Sequence, residues 1–257
     1  MESKVNQLLK QWPPGTVAAS PWLVRQGVSR QLARRYTASG WLQPLGRGAF
    51  IRAAEPALEW FGALYALQTQ LGLTVHPAAG TALSLLGLGH NLPFGSQAAL
   101  TLFSERRERL PPWFTRHGWP VRIEHHAPSL FDDAAPESLT DLTRNGFPVR
   151  VSAPERATLE LLHLVTTNAA VTSAIDVMSG LSTLRPQVVQ NLLEACRSVK
   201  AKRLFLWTAE AAGHDWFSRL DPERLDLGKG KRSIYRGGRF DAKYRITVPR
   251  QEEVPNV

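Results

Sequence analysis

Residues 20–40 read Ser20-Pro21-Trp22-Leu23-Val24-Arg25-Gln26-Gly27-Val28-Ser29-Arg30-Gln31-Leu32-Ala33-Arg34-Arg35-Tyr36-Thr37-Ala38-Ser39-Gly40. Ser20 is a helix N-cap residue followed by proline at the first helical position, and Gly27 ends that helix. Ser29 caps a further helix over 30–39, with Gly40 at its C′ position. Two short helices joined by a glycine turn are the signature of a helix-turn-helix. Leu32, Ala33 and Tyr36 share the inward face of the second helix. Arg30, Gln31, Arg34 and Arg35 are left on its outer side, where a recognition helix meets base edges in the major groove.

The flanks complete the pattern. Val5, Leu8, Leu9 and Trp12 recur at helical spacing, so 3–12 is an amphipathic helix that Pro13-Pro14-Gly15 stops. After Gly40, residues 41–45 alternate as a strand, Gly46-Arg47-Gly48 makes a tip, and 49–52 return. This predicts a hairpin wing with Arg47 at its apex, placed to reach a backbone or minor groove. The expected DNA-binding set is Ser29, Arg30, Gln31, Arg34, Arg35, Arg47 and Arg52. Arginine suits guanine and glutamine suits adenine, while Ser29 and the helix N-terminus can hold a phosphate. For any one of these arginines a solvated helix face is the simpler explanation; the ordered combination points to a winged helix.

Charge supports the same partner. Residues 1–54 carry eight Lys and Arg against one Glu, a net +7; residues 55–197 carry ten Arg against 13 acids, a net −3. Residues 198–257 carry 13 Lys and Arg against eight acids, a net +5. Basic ends around a mildly acidic centre imply a polyanion, with nucleic acid first. At 257 residues, 43% apolar and 21% charged, the chain can pack a sizeable core. No run of apolar residues is long enough to span a bilayer, and the N-terminus has no signal-type apolar segment. A soluble, cytoplasmic protein is expected. The single cysteine, Cys196, excludes an internal disulfide and thiolate metal sites.

Glu55-Pro56 breaks the pattern, so the division expected is a winged helix over 1–54 and a larger domain over 55–257. In the latter, 57–71 and 80–88 read as buried helices, and 98–103 and 121–125 as strands. Residues 149–151 form a short strand, and Ser152 with Glu155 fits a capping box for a helix over 154–165. Further helices fall near 169–179, 186–198 and 201–212. Residues 225–248 predict paired hairpins turned at Gly228-Lys229-Gly230 and Gly237-Gly238. Strands and helices do not alternate, so the fold class is α+β: an N-terminal winged helix-turn-helix followed by a larger mixed α/β domain.

Several segments are also familiar in their order and spacing: Gly80-Thr81-Ala82-Leu83-Ser84-Leu85-Leu86-Gly87-Leu88-Gly89-His90, Leu100-Thr101-Leu102-Phe103-Ser104, and Leu110-Pro111 with Trp113. They continue with Ser152-Ala153-Pro154-Glu155-Arg156-Ala157, Leu159-Glu160-Leu161-Leu162, and Ser182-Thr183-Leu184-Arg185-Pro186. Val199-Lys200-Ala201-Lys202-Arg203-Leu204-Phe205-Leu206-Trp207 and Leu227-Gly228-Lys229-Gly230-Lys231-Arg232 complete the series. Over nearly the whole chain, winged helix included, the sequence resembles the antitoxin half of AbiE-type, type IV toxin–antitoxin pairs, first recognised in phage defence. The resemblance implies an antitoxin that represses its own operon and antagonises a nucleotidyltransferase-like toxin.

The remaining chemistry is sparse. His125 and His126 are neighbours on a strand and point to opposite faces. Asp132-Asp133 has no Gly-rich partner, and Gly95-Ser96 has no Asp-x-Asp downstream. No P-loop, nucleophile elbow or H-E-x-x-H occurs. Cys196 reads as a small core residue. His90 reads as a helix cap or core hydrogen-bonding group. No catalytic residue, cofactor or metal is therefore expected, and the chain is not read as an enzyme. The clustered Lys229, Lys231, Arg232, Arg236, Arg239 and Lys243 are either a solvated edge that discourages strand pairing or a second polyanion-binding or partner surface. The expected partners are double-stranded operator DNA, bound as an inverted repeat by two copies of a chain that is a monomer in solution, and the toxin. No membrane partner is expected. The alternative is a stand-alone winged-helix transcription factor with a ligand-sensing domain.

Overall fold

The structure, a computed structural model, describes residues 4–53, 58–89, 99–132 and 136–250. The expected boundary at Glu55-Pro56 and the readings at His90, Gly95-Ser96 and Asp133 lie outside those residues. By packing, the chain forms two compact units: residues 1–76, 103–127 and 141–150, and residues 77–102, 128–140 and 151–257. The fold is mixed α+β with small sheets, as expected.

The first unit opens with helix α1 (Lys4–Gln11), strand β1 (Ala18–Ala19), helices α2 (Ser20–Arg25) and α3 (Arg30–Ala38), and the hairpin β2 (Leu42–Gly46) and β3 (Ala49–Arg52). The hairpin adds to β1 as an antiparallel sheet in the order β1-β3-β2, with Ala18 opposite Phe50 and Leu42 opposite Arg52. Leu8, Trp12, Ala18, Leu23, Val28, Ala33 and Leu42 form one core cluster, against which Leu32 and Tyr36 pack half-buried. The three helices and the hairpin expected from the sequence are thus present in that order. Ser29 accepts a hydrogen bond from the Leu32 N–H at 3.2 Å, and Gly27 makes its turn at φ +76°. Ser20 is a correction: it lies inside α2 and Ala19 takes the N-cap position without a side-chain bond.

Packing of this segment does not stop near residue 55. Helix α4 (Trp60–Tyr65) runs into a wider, π-helical turn over Ala66–Gln70, where an unbroken α-helix was expected. That turn delivers the Gln70 side chain to β1, an edge strand. Its Oε1 accepts from the Ala19 N–H at 2.8 Å, and its Nε2 donates to the Val17 carbonyl at 2.7 Å. One buried amide therefore closes the exposed edge as another strand would. Gly62 approaches Gly15 so closely that a Cβ would lie 1.9 Å from its carbonyl oxygen. Helix α5 (Ala79–Leu85), strand β5 (Ala99–Phe103), the short helix α6 (Pro112–Thr115) and strand β6 (Arg122–His126) follow the two-residue strand β4 (His76–Pro77). Strands β7 (Leu139–Arg144) and β8 (Phe147–Ser152) pair with each other.

In the second unit, helix α7 (Pro154–Leu164) packs against α5 and against α8 (Asn168–Ser179), α9 (Pro186–Ala195) and α10 (Val199–Ala212). The capping box expected at its start is absent. Ser152 belongs to β8 and donates to the buried Glu160 carboxylate at 2.7 Å, while Glu155 pairs with Arg185. The C-terminal strands β9 (Arg239–Asp241) and β10 (Ile246–Val248) form a hairpin whose turn is 242–245, not either glycine pair. The glycine segment does something else. The carbonyls of Leu227, Gly228, Gly230 and Arg245 all accept from the Arg203 guanidinium, which is 1% exposed. Four carbonyls converging on one cation satisfy a charge that burial would otherwise expel.

Candidate nucleic-acid interface

Ser29, Arg30, Gln31, Arg34, Arg35 and Arg47 are all exposed. Two of them share a cleft with the wing. A concavity of about 420 Å³ is lined by Arg30 and Arg34 of α3, by Val24 of α2, and by Arg47 and Gly48 at the hairpin tip. Its floor is apolar, made by Leu23, Val28, Ala33 and Phe50. Arg30 and Arg34 are four residues apart and so lie in one row of the helix surface. Gln31 and Arg35 form the neighbouring row, outside the cleft. Val24 is 55% exposed beside these cations, an apolar contact within a basic rim. Sequence reading did not single out Val24, which follows the buried Leu23 on α2 and lines the same cleft.

Arg52 does not join them. It is half-buried, its Nη2 donates to the Leu9 carbonyl at 2.7 Å, and its guanidinium sits 5.3 Å from the Trp12 ring centroid. Strand alternation turns it toward α1, away from the wing tip. Its place is in the packing of the first helix.

The C-terminal cations are a second surface group. Lys229, Lys231, Arg232, Arg236, Arg239 and Lys243 are exposed. Lys243 pairs with Glu210, Arg239 lies 4.0 Å from Asp241, and Lys231 sits over the Phe240 ring. Lys229, Arg232 and Arg236 have no ion pair among the described residues.

The other singled-out groups are scattered: His125 and His126 are half-buried, Asp132 is exposed and Cys196 is buried. His125 Nε2 lies 2.8 Å from Ser104 Oγ, and His126 packs on Phe103 at 5.4 Å between centroids. Burial lowers the His125 pKa against the opposing pull of Glu108. Ser104 is itself buried. Asp132 pairs with Arg197, and burial pushes the Cys196 thiol pKa up. Among the described residues no three His, Cys, Asp or Glu side chains come together to hold a metal ion. No helix of the described residues is long and apolar enough to cross a membrane.

Comparison with known families places this arrangement among transcriptional regulators. Residues 1–94 match the AbiEi antitoxin N-terminal domain, and residues 97–249 match the AbiEi antitoxin transcriptional regulator of type IV toxin–antitoxin systems. The chain belongs to the AbiEi antitoxin family of type IV toxin–antitoxin transcriptional regulators. It is similar in fold to the crystal structure of the RV2827C protein from Mycobacterium tuberculosis, with a TM-score of 0.61 at 14% identity, covering 94% of this chain and 88% of that one. Among curated proteins no sequence matches.

Proposed function

We propose that the chain binds operator DNA of its own operon through α3 and the wing, and thereby represses it, while antagonising a nucleotidyltransferase-like toxin. The observation that carries the DNA reading is the cleft in which Arg30 and Arg34 of one helix face Arg47 of the hairpin. In this reading Arg30, Gln31, Arg34 and Arg35 enter the major groove, Ser29 and the start of α3 hold a phosphate, and Arg47 contacts the backbone. Two copies of a solution monomer occupy an inverted repeat. Residues 1–54 serve as the reading head and the remainder as the antitoxin part. Lys229, Lys231, Arg232 and Arg236, with Arg239 and Lys243 beside them, form a second polyanion or partner surface there. The chain has no catalytic step of its own in this reading.

The test is co-expression with the neighbouring reading frame, with a reporter on the shared promoter and growth scored in parallel. Repression and protection together support the proposal. Repression without any neighbouring toxin to antagonise would instead favour a ligand-sensing transcription factor. Reporter activity and growth both unchanged by the chain would overturn it.

A further inference from the structure

The compact unit that contains the reading head has 15 Lys and Arg against seven Asp and Glu, a net +8 within a chain of net +9. Part of that excess comes from well beyond the winged helix. The segment Ser104-Glu105-Arg106-Arg107-Glu108-Arg109 is anchored through its second acid: Glu108 accepts from the Thr74 N–H, the Thr74 hydroxyl and the Val75 N–H at 2.8–3.0 Å. With that carboxylate spent on backbone, Arg106, Arg107 and Arg109 stay exposed and have no ion pair among the described residues. Arg116, at the C-cap of α6, is likewise exposed without an ion pair among the described residues.

Helix α6 is a fixed support rather than a loose loop. Trp113 and Phe114 are buried, Trp119 Nε1 donates to the Phe114 carbonyl at 2.7 Å, and the Phe114 and Trp119 rings lie 5.5 Å apart. It packs on β2: a Cβ at Gly46 would stand 3.2 Å from the Trp113 Cβ. Gly46 precedes Arg47, so Trp113 sits against the base of the wing tip. Arg116 is three residues from Trp113 and Arg109 four, a reach of at most about 14 Å. Phosphates of one strand recur about every 3.4 Å of helix axis, so these arginines stand within a few phosphate steps of Arg47.

We propose that Arg109 and Arg116, carried by the α6 segment against the wing, extend the DNA interface past the winged helix and hold the phosphate backbone beside Arg47. This rests on the DNA-binding reading above and adds a contact surface outside residues 1–94, the stretch matched to the family's N-terminal domain. The contacts are sequence-independent, because exposed arginines flanking a short helix beside the wing meet backbone rather than base edges.

The experiment measures binding of the full chain to its promoter duplex and to an unrelated duplex of equal length, between about 50 and 200 mM salt. The variants are R109Q/R116Q, R109K/R116K, R34A, R47A and, as a charge control, R219Q. The expected result for R109Q/R116Q is a salt slope lower by about two on both duplexes, at about 0.9 per phosphate contact, with an unchanged specificity ratio and melting temperature. R109K/R116K and R219Q retain the parent slope. If R34A and R47A weaken binding but R109Q/R116Q matches the parent, the extension is wrong and the reading head stands. If the parent does not bind its promoter, or R34A and R47A bind as it does, the extension falls with the reading it rests on. Loss of toxin antagonism by R109Q/R116Q with DNA binding intact also overturns it and assigns the surface to a protein partner.

Discussion

The Glu155 carboxylate and Arg185 meet through three hydrogen bonds of 2.9 Å, two from the guanidinium and one from the Arg185 backbone N–H. Glu155 begins α7 and Arg185 precedes α9, so one carboxylate fixes the start of two helices. Burial pushes the Glu155 pKa up, but the Arg185 hydrogen bonds outweigh it and hold the carboxyl below its ordinary range. Replacing Arg185 by Ala leaves a 2%-exposed carboxylate without its cation and is expected to cost about 3 kcal/mol by chemical denaturation.

The pH dependence has a definite sign. A carboxyl whose folded pKa is depressed stabilises the protein fully above its unfolded value, about 4.3, and that stability is lost as pH falls through the lowered value. Melting temperature measured from pH 6 downward should therefore fall below about pH 4.5 in the parent. In Glu155→Gln the starting stability should be lower and the acid fall shallower. Parallel curves would refute the assignment.

Gln70 closes the edge of the β1-β3-β2 sheet from outside residues 1–54. Gln70→Ala leaves the Ala19 N–H and the Val17 carbonyl buried without partners, an expected loss of about 2 kcal/mol or more. Gly62→Ala is expected to be worse, because its Cβ has no space beside Gly15. A chain starting at residue 58 should melt lower than the full chain. An equal melting temperature would show that residues 58–257 fold without the first helices and the hairpin.

On α3, Arg34→Ala should weaken binding to the promoter duplex by about 1–3 kcal/mol and relax preference at one base position. Arg47→Ala should weaken all duplexes alike and lower the salt slope by about one. Gel shifts across salt concentrations separate the two patterns. Arg52→Ala should act on stability rather than on DNA, through the lost Leu9 and Trp12 contacts.

Arg203→Met should unfold the C-terminal segment from α10. It removes five donors and leaves the carbonyls of Leu227, Gly228, Gly230 and Arg245 to find water. A loss of about 3 kcal/mol or more, with amide exchange opened over 227–246, is expected. Arg203→Lys rescues little, since one ammonium with three donors cannot span four carbonyls.

Local rules carried the first three helices and the hairpin. Gly27 and Ser29 punctuate the backbone within a few residues, and the 3.6-residue period of α3 separates Ala33 from Arg30 and Arg34 with no help from the rest of the chain. The exposure of Ser29, Arg30, Gln31, Arg34, Arg35 and Arg47 was legible for the same reason, since a helix face and a hairpin tip are local geometry. What failed depended on partners distant in sequence. Ser152 and Glu155 spell a capping box, but a strand end and Arg185 claimed them. Gly228 and Gly230 spell a turn, but the buried Arg203 recruits their carbonyls. Arg52 has the sequence context of its neighbours, and only the packing of β3 on α1 shows that it faces Trp12. Tertiary structure also decided what completes the first compact unit. No local signal announces that Gln70 completes the β1 edge or that Trp113 supports the wing, because an unsatisfied backbone edge and a void beneath a hairpin exist only after the chain has folded.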